Sequence, residues 1–252
     1  MKLIVQIPCF NEEKTIGKVI ASIPRDCEGI SKIEILVVDD GSSDASVEKA
    51  SEAGADHVVS HIRNQGLAAT FQTGIKSCLD LGADIIVNLD ADNPYCAEDI
   101  PVLIAPILEQ DAEIVVGARP IESMDHFSRV KKVLQRLGSY VVRQISNTTV
   151  EDAPSGFRAY TKIAARSLYV YGKYTYTIET IVQAGKSDRA IVSVPIRTNP
   201  DERPSRLVKS IPNYIFKTAS SLLRVGVIYS PFRFFFFLSA ALAIPAILLF
   251  FR

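Results

Sequence analysis

Short apolar runs that alternate with helical patterns are the feature that most limits how this chain can fold. Helical periodicity separates each run from the next, and the first four runs lie at residues 3–8, 33–38, 57–60 and 85–89. Strands that are apolar on both faces suit a parallel sheet with helices on either side. The sequence therefore predicts an α/β fold with a mostly parallel sheet. Later strands are predicted at 114–117 and 191–196, and Pro195 favours a sheet edge for the last one.

Polar clusters follow three of these runs, at the point where each strand should end. They lie at residues 8–12, 39–44 and 90–92. Because parallel strands bring their carboxyl ends to one edge of the sheet, where ligands bind, we expect the three clusters to form one site. Arg119 follows the strand at 114–117 and should add a cation to the same edge.

Asp90 and Asp92 are the strongest candidates for chemistry in this set. In an extended chain, side chains two residues apart point the same way, so both carboxylates can address one ligand. Two close carboxylates repel each other unless a cation joins them, and Mg²⁺ or Mn²⁺ bridging to phosphate oxygens is the usual reason for such a pair. An isolated Asp-x-Asp also occurs in plain acidic turns, but the neighbouring clusters favour a metal site here.

The charge balance and the cysteines restrict the classes of partner and compartment. The chain has 28 basic and 28 acidic residues, so its net charge is zero and no nucleic-acid partner is predicted. The four cysteines lack metal-binding spacing, and no signal peptide is recognisable at the start, so a reducing setting is expected.

The far end of the chain differs in kind from the rest. Residues 211–230 predict an amphipathic helix, and residues 232–251 are almost continuously apolar, with Arg233 as the one charge in the run. About 20 apolar residues suit a bilayer-spanning helix, and the basic residues before it predict a cytoplasmic location for the main domain. The alternative is a buried helix in a soluble core. The predicted organisation is thus a catalytic domain at 1–210, a juxtamembrane helix at 211–230 and a transmembrane helix at 231–252.

A second amphipathic helix is predicted at 127–145, where apolar residues form one stripe among basic ones. This helix either packs on the domain or lies at a membrane surface, and both interpretations stay open.

Taken in order, the motifs resemble those of family 2 glycosyltransferases with the GT-A fold, and among them the polyprenyl-phosphate glycosyltransferases such as the dolichol-phosphate mannose synthases. The matching segments are residues 8–12, 38–42, 90–92, 116–119, Asp152 with 155–158, Glu179 and 203–209.

The resemblance implies a role for each matching residue. Asp90 and Asp92 would hold Mg²⁺ or Mn²⁺. The nucleotide would be bound by Pro8, Phe10, Glu12, Val38, Asp40, Ala91 and Arg119, with Arg119 meeting a phosphate. The acceptor and its phosphate would meet Arg158, Arg203, Ser205, Arg206 and Lys209. The catalytic set would be Asp152, Glu179, Arg203 and Lys209. From the residues alone, Asp152 could be a turn carboxylate and Glu179 a charge favoured by a helix N-terminus.

The implied activity is inverting transfer of a sugar from a UDP- or GDP-sugar to undecaprenyl or dolichyl phosphate by a membrane-anchored enzyme. The alternatives are a polysaccharide or other lipid acceptor, or a non-catalytic membrane-anchored nucleotide-binding protein. A processive synthase would carry Gln-x-x-Arg-Trp, and this chain has no tryptophan. The segment Asn93-Pro94-Tyr95 departs from the mannose synthases, so no particular sugar is assigned. The oligomeric state is left open.

Overall fold

The computed structural model describes residues 1–123, 129–172, 176–200, 211–229 and 231–250. These residues form one seven-stranded sheet with helices around it. The strands are β1 (Lys2–Cys9), β2 (Lys32–Asp39), β3 (His57–Ser60), β4 (Ile85–Asn88), β5 (Ile114–Ala118), β6 (Arg158–Thr161) and β7 (Ile191–Pro195). The helices are α1 (Ile16–Ser22), α2 (Ser46–Glu52), α3 (Leu67–Asp80), α4 (Ile100–Leu108), α5 (Arg129–Ser146), α6 (Lys162–Ser167), α7 (Thr177–Lys186), α8 (Ile211–Tyr229) and α9 (Pro231–Phe250).

The sheet is mostly parallel, as predicted. Its strand order is β3-β2-β1-β4-β6-β5-β7, and β6 runs antiparallel to both of its neighbours. The strands β4 and β5 therefore point the same way on either side of β6. Pro195 lies in β7 at the sheet edge, which confirms the position favoured by its missing N–H.

Both faces of the sheet are buried, because successive side chains of a strand point to opposite sides. In β1, Leu3 and Val5 pack in one apolar cluster with α1 and α4, whereas Ile4 packs in another with α3. A third cluster joins Val116 of β5 to α5, α7 and α8. The predicted arrangement of helices on both faces is confirmed.

Two local features lie outside the sequence predictions. Asn11 adopts a left-handed φ of 55°, and its side chain accepts a hydrogen bond from Ser43 N at 2.8 Å. It thus ties two loops together, and α1 starts at Ile16. The short helix α6 was not predicted. Thr161 caps it by accepting from Ala164 N at 3.1 Å.

The C-terminal segments are helical where helices were predicted. No single described helix is both long and apolar enough to cross a bilayer. Taken together, the helical segments Ala219–Tyr229 and Phe234–Ile244 have the length and apolar composition of a membrane span, but they are bent by 110° relative to each other. The transmembrane assignment of 231–252 and the domain boundaries stay predictions.

Candidate functional site

The predicted clusters meet at one edge of the sheet. Because β2, β1 and β4 are adjacent and parallel, residues 8–12, 39–44 and 90–92 all lie at their carboxyl ends. Arg119 follows β5 at the same edge. The antiparallel strand β6 begins at this edge, so the turn before it brings Gly156 into the site.

The carboxylate of Asp90 packs directly against Gly156. A Cβ built on Gly156 would lie 2.5 and 2.8 Å from the two carboxylate oxygens of Asp90. The hydroxyl of Tyr95 makes a hydrogen bond with Asp90 and accepts one from Gly156 N at 2.9 Å. Burial and the charge of Asp92 raise the pKa of Asp90 to about 7. Burial, followed by the charge of Asp90, raises the pKa of Tyr95 to about 12.

This pair of carboxylates fits a hard divalent cation. The raised pKa means that the negative charge of Asp90 is disfavoured at this position, and a bound cation would stabilise it. Among the described residues, no group of three or more His, Cys, Asp or Glu side chains is placed to hold a metal ion. Asp90 and Asp92 would therefore supply part of the coordination, and Mg²⁺ commonly completes its set with phosphate oxygens and water.

Arg119 and Asp152 form a buried ion pair beside this carboxylate pair. The Nε of Arg119 donates to Asp152 Oδ2 at 2.7 Å, and its Nη2 donates to Oδ1 at 3.0 Å. Gln135 of α5 donates to the same Oδ1 at 2.8 Å. Burial by itself would lower the pKa of Arg119, but the charge and hydrogen bonds of Asp152, together with Tyr95 and Asp90, more than offset burial, and the pKa is raised. In this arrangement Asp152 orients the Arg119 guanidinium.

A cleft of about 270 Å³ opens next to this pair. Residues 118–122 form one wall, and Arg136, Glu151 and Asp152 complete the lining. The cleft is lined by charges of both signs, because Arg119 and Arg136 stand beside Glu122, Glu151 and Asp152.

On the predicted nucleotide side, the carboxylate of Asp40 is held by contacts within the chain, and its predicted role at the nucleotide stays a prediction. Its carboxylate accepts from the backbone N–H groups of Gln65 at 2.9 Å and Gly66 at 2.8 Å. His61 Nδ1 lies 2.8 Å from Asp40 Oδ1, and His61 Nε2 lies 2.9 Å from the hydroxyl of Thr73. Asp40 thus anchors the loop that leads into α3.

The other predicted nucleotide residues divide between core and surface. Val38 is fully buried and packs in the cluster with α3. Pro8, Glu12 and Ala91 are also buried, and Glu12 N donates to Ser46 Oγ at 2.7 Å. Phe10 is 38% exposed at the end of β1, so its ring is accessible to a ligand.

Arg158, predicted to bind phosphate, is fully buried under the site. Its guanidinium donates to the carbonyl oxygens of Ala153, Ser155 and Thr177 at 2.6–2.8 Å, and to the hydroxyl of Thr180 at 2.8 Å. The side chain clamps the turn before β6 onto α7. This placement supports a structural role and gives no support to a direct phosphate contact.

Glu179 is also buried, and it holds a loop. Its two oxygens accept from the backbone N–H groups of Tyr171 and Gly172, both at 3.0 Å. The carboxylate is therefore engaged by the chain itself. The four remaining candidates, Arg203, Ser205, Arg206 and Lys209, lie outside the described residues, and their roles stay predictions.

Sequence reasoning gave no role to three residues that shape the site. Gly156 was noted within a motif, but its contact with Asp90 arises from the antiparallel entry of β6. Tyr95 and Gln135 reach Asp90 and Asp152 through tertiary contacts. No local pattern in the sequence indicates either contact.

Comparison with known proteins finds relatives among the glycosyltransferases. The model of the family described as Glycosyl transferase family 2 matches residues 4–168. A UDP-N-acetylglucosamine–dolichyl-phosphate N-acetylglucosaminyltransferase of Methanococcus voltae is 31% identical over 214 residues, which cover 76% of this chain and 83% of that protein. An undecaprenyl-phosphate mannosyltransferase of Micrococcus luteus is 26% identical over 206 residues, covering 78% of this chain and 83% of its own.

Solved structures share the fold at lower identity. Glucosyl-3-phosphoglycerate synthase from Mycobacterium tuberculosis, in complex with Mn²⁺, UDP and glucosyl-3-phosphoglycerate, superposes with a TM-score of 0.68 at 23% identity. The alignment covers 90% of this chain and 78% of that one. The same enzyme with Mg²⁺ and UDP gives a TM-score of 0.66 at 22% identity, over 88% of this chain and 79% of that one.

Proposed function

The chain belongs to glycosyl transferase family 2 and has the predicted GT-A fold, and on this premise we propose that it transfers a sugar from a nucleoside-diphosphate sugar to a polyprenyl phosphate. Relatives named for transfer to dolichyl and undecaprenyl phosphate, at 31% and 26% identity, support the acceptor class. Mg²⁺ or Mn²⁺ is proposed as the cofactor, in keeping with the ions bound in the solved structures of the same fold.

One observation carries this proposal. The carboxylate of Asp90, whose pKa is raised by burial and by the charge of Asp92, lies at the same edge of the sheet as the ion-paired Arg119. Two carboxylates and a guanidinium thus lie close together, which suits a ligand that carries both a metal ion and a diphosphate. The bound ion would neutralise charge on the leaving nucleoside diphosphate.

The residues of the chain then take the following roles. Asp90 and Asp92 hold the ion, and Gly156 leaves room for the Asp90 carboxylate. Asp152 keeps the Arg119 guanidinium fixed toward the phosphates. A polyprenyl phosphate is already an anion at neutral pH, so it can attack without a strong general base. Asp152 is accordingly a positioning residue, and a single in-line displacement with inversion is proposed.

Binding of the nucleotide and of the acceptor needs further groups. The exposed ring of Phe10 is proposed to stack on the base. Arg203, Ser205, Arg206 and Lys209 are proposed to close over the phosphates, because cations on a loop gain charge-assisted hydrogen bonds when an anion arrives. Residues 231–252 are proposed as the membrane anchor, with the catalytic domain on the cytoplasmic side.

A donor screen tests the proposal. The full chain is incubated with UDP-, GDP- or dTDP-sugars, a short polyprenyl phosphate and Mg²⁺ or Mn²⁺, and the lipid-linked sugar is measured. Asp92→Ala should abolish transfer. Asp80→Ala, which removes an exposed carboxylate paired with Lys76, serves as the matched control and should retain it.

Two results would contradict the proposal. Full activity of Asp92→Ala would remove the metal role from this pair. Transfer from a nucleotide sugar to a polysaccharide or a soluble acceptor, with none to any lipid phosphate, would replace the acceptor class.

A further inference from the structure

Helix α5 has an unusual distribution of polarity around its axis. The row that faces the domain is Gln135, Ser139, Val142 and Ser146, all buried, and three of the four are polar. The opposite row is apolar and exposed: Val133 by 60%, Leu137 by 56% and Tyr140 by 52%. An amphipathic helix at a protein surface normally buries its apolar residues and exposes its polar ones. Part of the apolar stripe predicted at 127–145 therefore faces away from the domain.

The polar inner row has a structural explanation. Gln135 donates to Asp152, and Ser139 Oγ accepts from Ala153 N at 3.2 Å. These contacts hold the turn that carries Asp152. The inner face thus serves the candidate site, whereas the apolar outer row has no comparable explanation within the domain.

The charges of α5 indicate what the outer row would meet. The helix has five basic residues and no acidic one, in a chain whose net charge is zero. On the helical wheel, Lys132, Arg136 and Arg143 flank the apolar row on one side. Lys132 donates to the carbonyl of Glu122, Arg136 pairs with its carboxylate, and Arg143 lies 5.9 Å from the centre of the Tyr140 ring.

The position of α5 in the fold agrees with these charges. It packs beside α7 and α8, and α8 leads into α9. Large apolar side chains are exposed along this continuation, among them Leu223, Ile228, Phe232 and Phe235. The exposed apolar row of α5 thus lies on a helix that contacts α8 directly.

We propose that Val133, Leu137 and Tyr140 insert into the interfacial region of an anionic lipid bilayer, with the flanking basic residues at the headgroups. Apolar rows bordered by cations bind such surfaces, and each cation near an anionic surface is worth about a fivefold gain in binding. The inference rests on the proposed function and deepens it. Since Gln135 and Ser139 hold the Asp152 turn from the other side of the same helix, docking would place the Arg119 cleft at headgroup level, where a lipid phosphate lies.

The absence of tryptophan from the sequence makes a direct test possible. Leu137→Trp and, separately, Tyr140→Trp each introduce a single reporter at an exposed position. Val102→Trp, on the exposed side of α4 across the sheet, is the matched control. The full-length variants are reconstituted into phosphatidylcholine vesicles with and without phosphatidylglycerol, and emission is recorded with and without brominated lipid.

The expected result is a blue shift and loss of most emission to brominated lipid at positions 137 and 140, with little change at 102. Lys132→Glu combined with Arg136→Glu should reduce the quenching in anionic vesicles to its level in phosphatidylcholine. Unshifted and unquenched emission at both reporters in vesicle-bound protein would overturn the proposal. A blue shift without vesicles that grows with protein concentration would overturn it in favour of a second copy of the chain.

Quenching reports the position of α5 and does not require turnover. If the reporters are quenched but no lipid-linked sugar forms, the proposed function fails and the docking surface stands. If transfer proceeds while the reporters stay unquenched, the docking surface alone fails.

Discussion

The contact between Gly156 and Asp90 leads to a quantitative prediction about Gly156→Ala. The added Cβ would lie 2.5 Å from Asp90 Oδ2, whereas ordinary contact begins at 3.4 Å. The carboxylate must therefore retreat by about 0.9 Å, the difference between these two distances. Gly156 is absent from the positive-φ residues, so the effect is steric and not conformational.

A shift of this size matters more for chemistry than for folding. Misplacing a reacting group by about 1 Å costs on the order of 100-fold in rate, whereas overpacking of this kind costs about 1–3 kcal/mol of stability. We expect transfer by Gly156→Ala to fall about 100-fold, with a higher concentration of Mn²⁺ needed for half-maximal activity. Thermal unfolding should stay cooperative.

The assay combines a metal titration of transferase activity with a thermal melt. The control is Gly138→Ala in α5, where an added Cβ meets nothing within 4 Å. This control should keep its metal dependence and gain about 0.5–1 kcal/mol of stability, because alanine favours a helix over glycine. Wild-type activity and metal dependence in Gly156→Ala would refute the reasoning, since they would show that the Asp90 carboxylate is not needed where the structure places it.

Three further changes test the ion pair, a charged cluster and a helix cap. Asp152→Asn should destabilise the protein by about 3 kcal/mol in urea, because it leaves the Arg119 charge buried without its partner; an unchanged midpoint would contradict the buried pairing. Burial would raise the pKa of Glu34, but hydrogen bonds from two lysines and a histidine hold it at about 2, below its ordinary 4.5. Its contribution should therefore be present above about pH 4.5 and be lost toward pH 2, so the Tm difference between wild type and Glu34→Gln should shrink over that range. Thr161→Ala should cost about 1 kcal/mol by removing the cap of α6, and a loss near zero would show that the cap is not needed.

The strand-and-helix rhythm of the sequence was sufficient to predict the architecture. Apolar runs without alternation require burial on both faces, and that requirement leaves a helix-covered parallel sheet as the solution. Residues 8–12, 39–44 and 90–92 could then be assigned to one edge, because parallel strands end together. Local patterns also placed Pro195 at a sheet edge.

The partners of individual side chains could not be predicted in this way. Arg158 and Glu179 matched family motifs, yet the first is buried in carbonyl contacts and the second holds a loop. Asp40 accepts hydrogen bonds from the backbone before α3, a contact that the sequence did not indicate. Each of these side chains bonds to backbone groups that the folded chain leaves unpaired. The spacing of residues in the sequence does not indicate which backbone groups these are.

The sequence by itself determined the succession of strands and helices along the chain and the presence of paired carboxylates at a strand end, because periodicity and strand length are local properties. Only the tertiary structure decided that β6 enters antiparallel and brings Gly156 against Asp90, and that Asp152 pairs with Arg119. It also decided that the apolar row of α5 faces outward. These three results come from contacts between residues far apart in the chain, where packing and the pairing of buried polar groups, and not local propensity, select the arrangement.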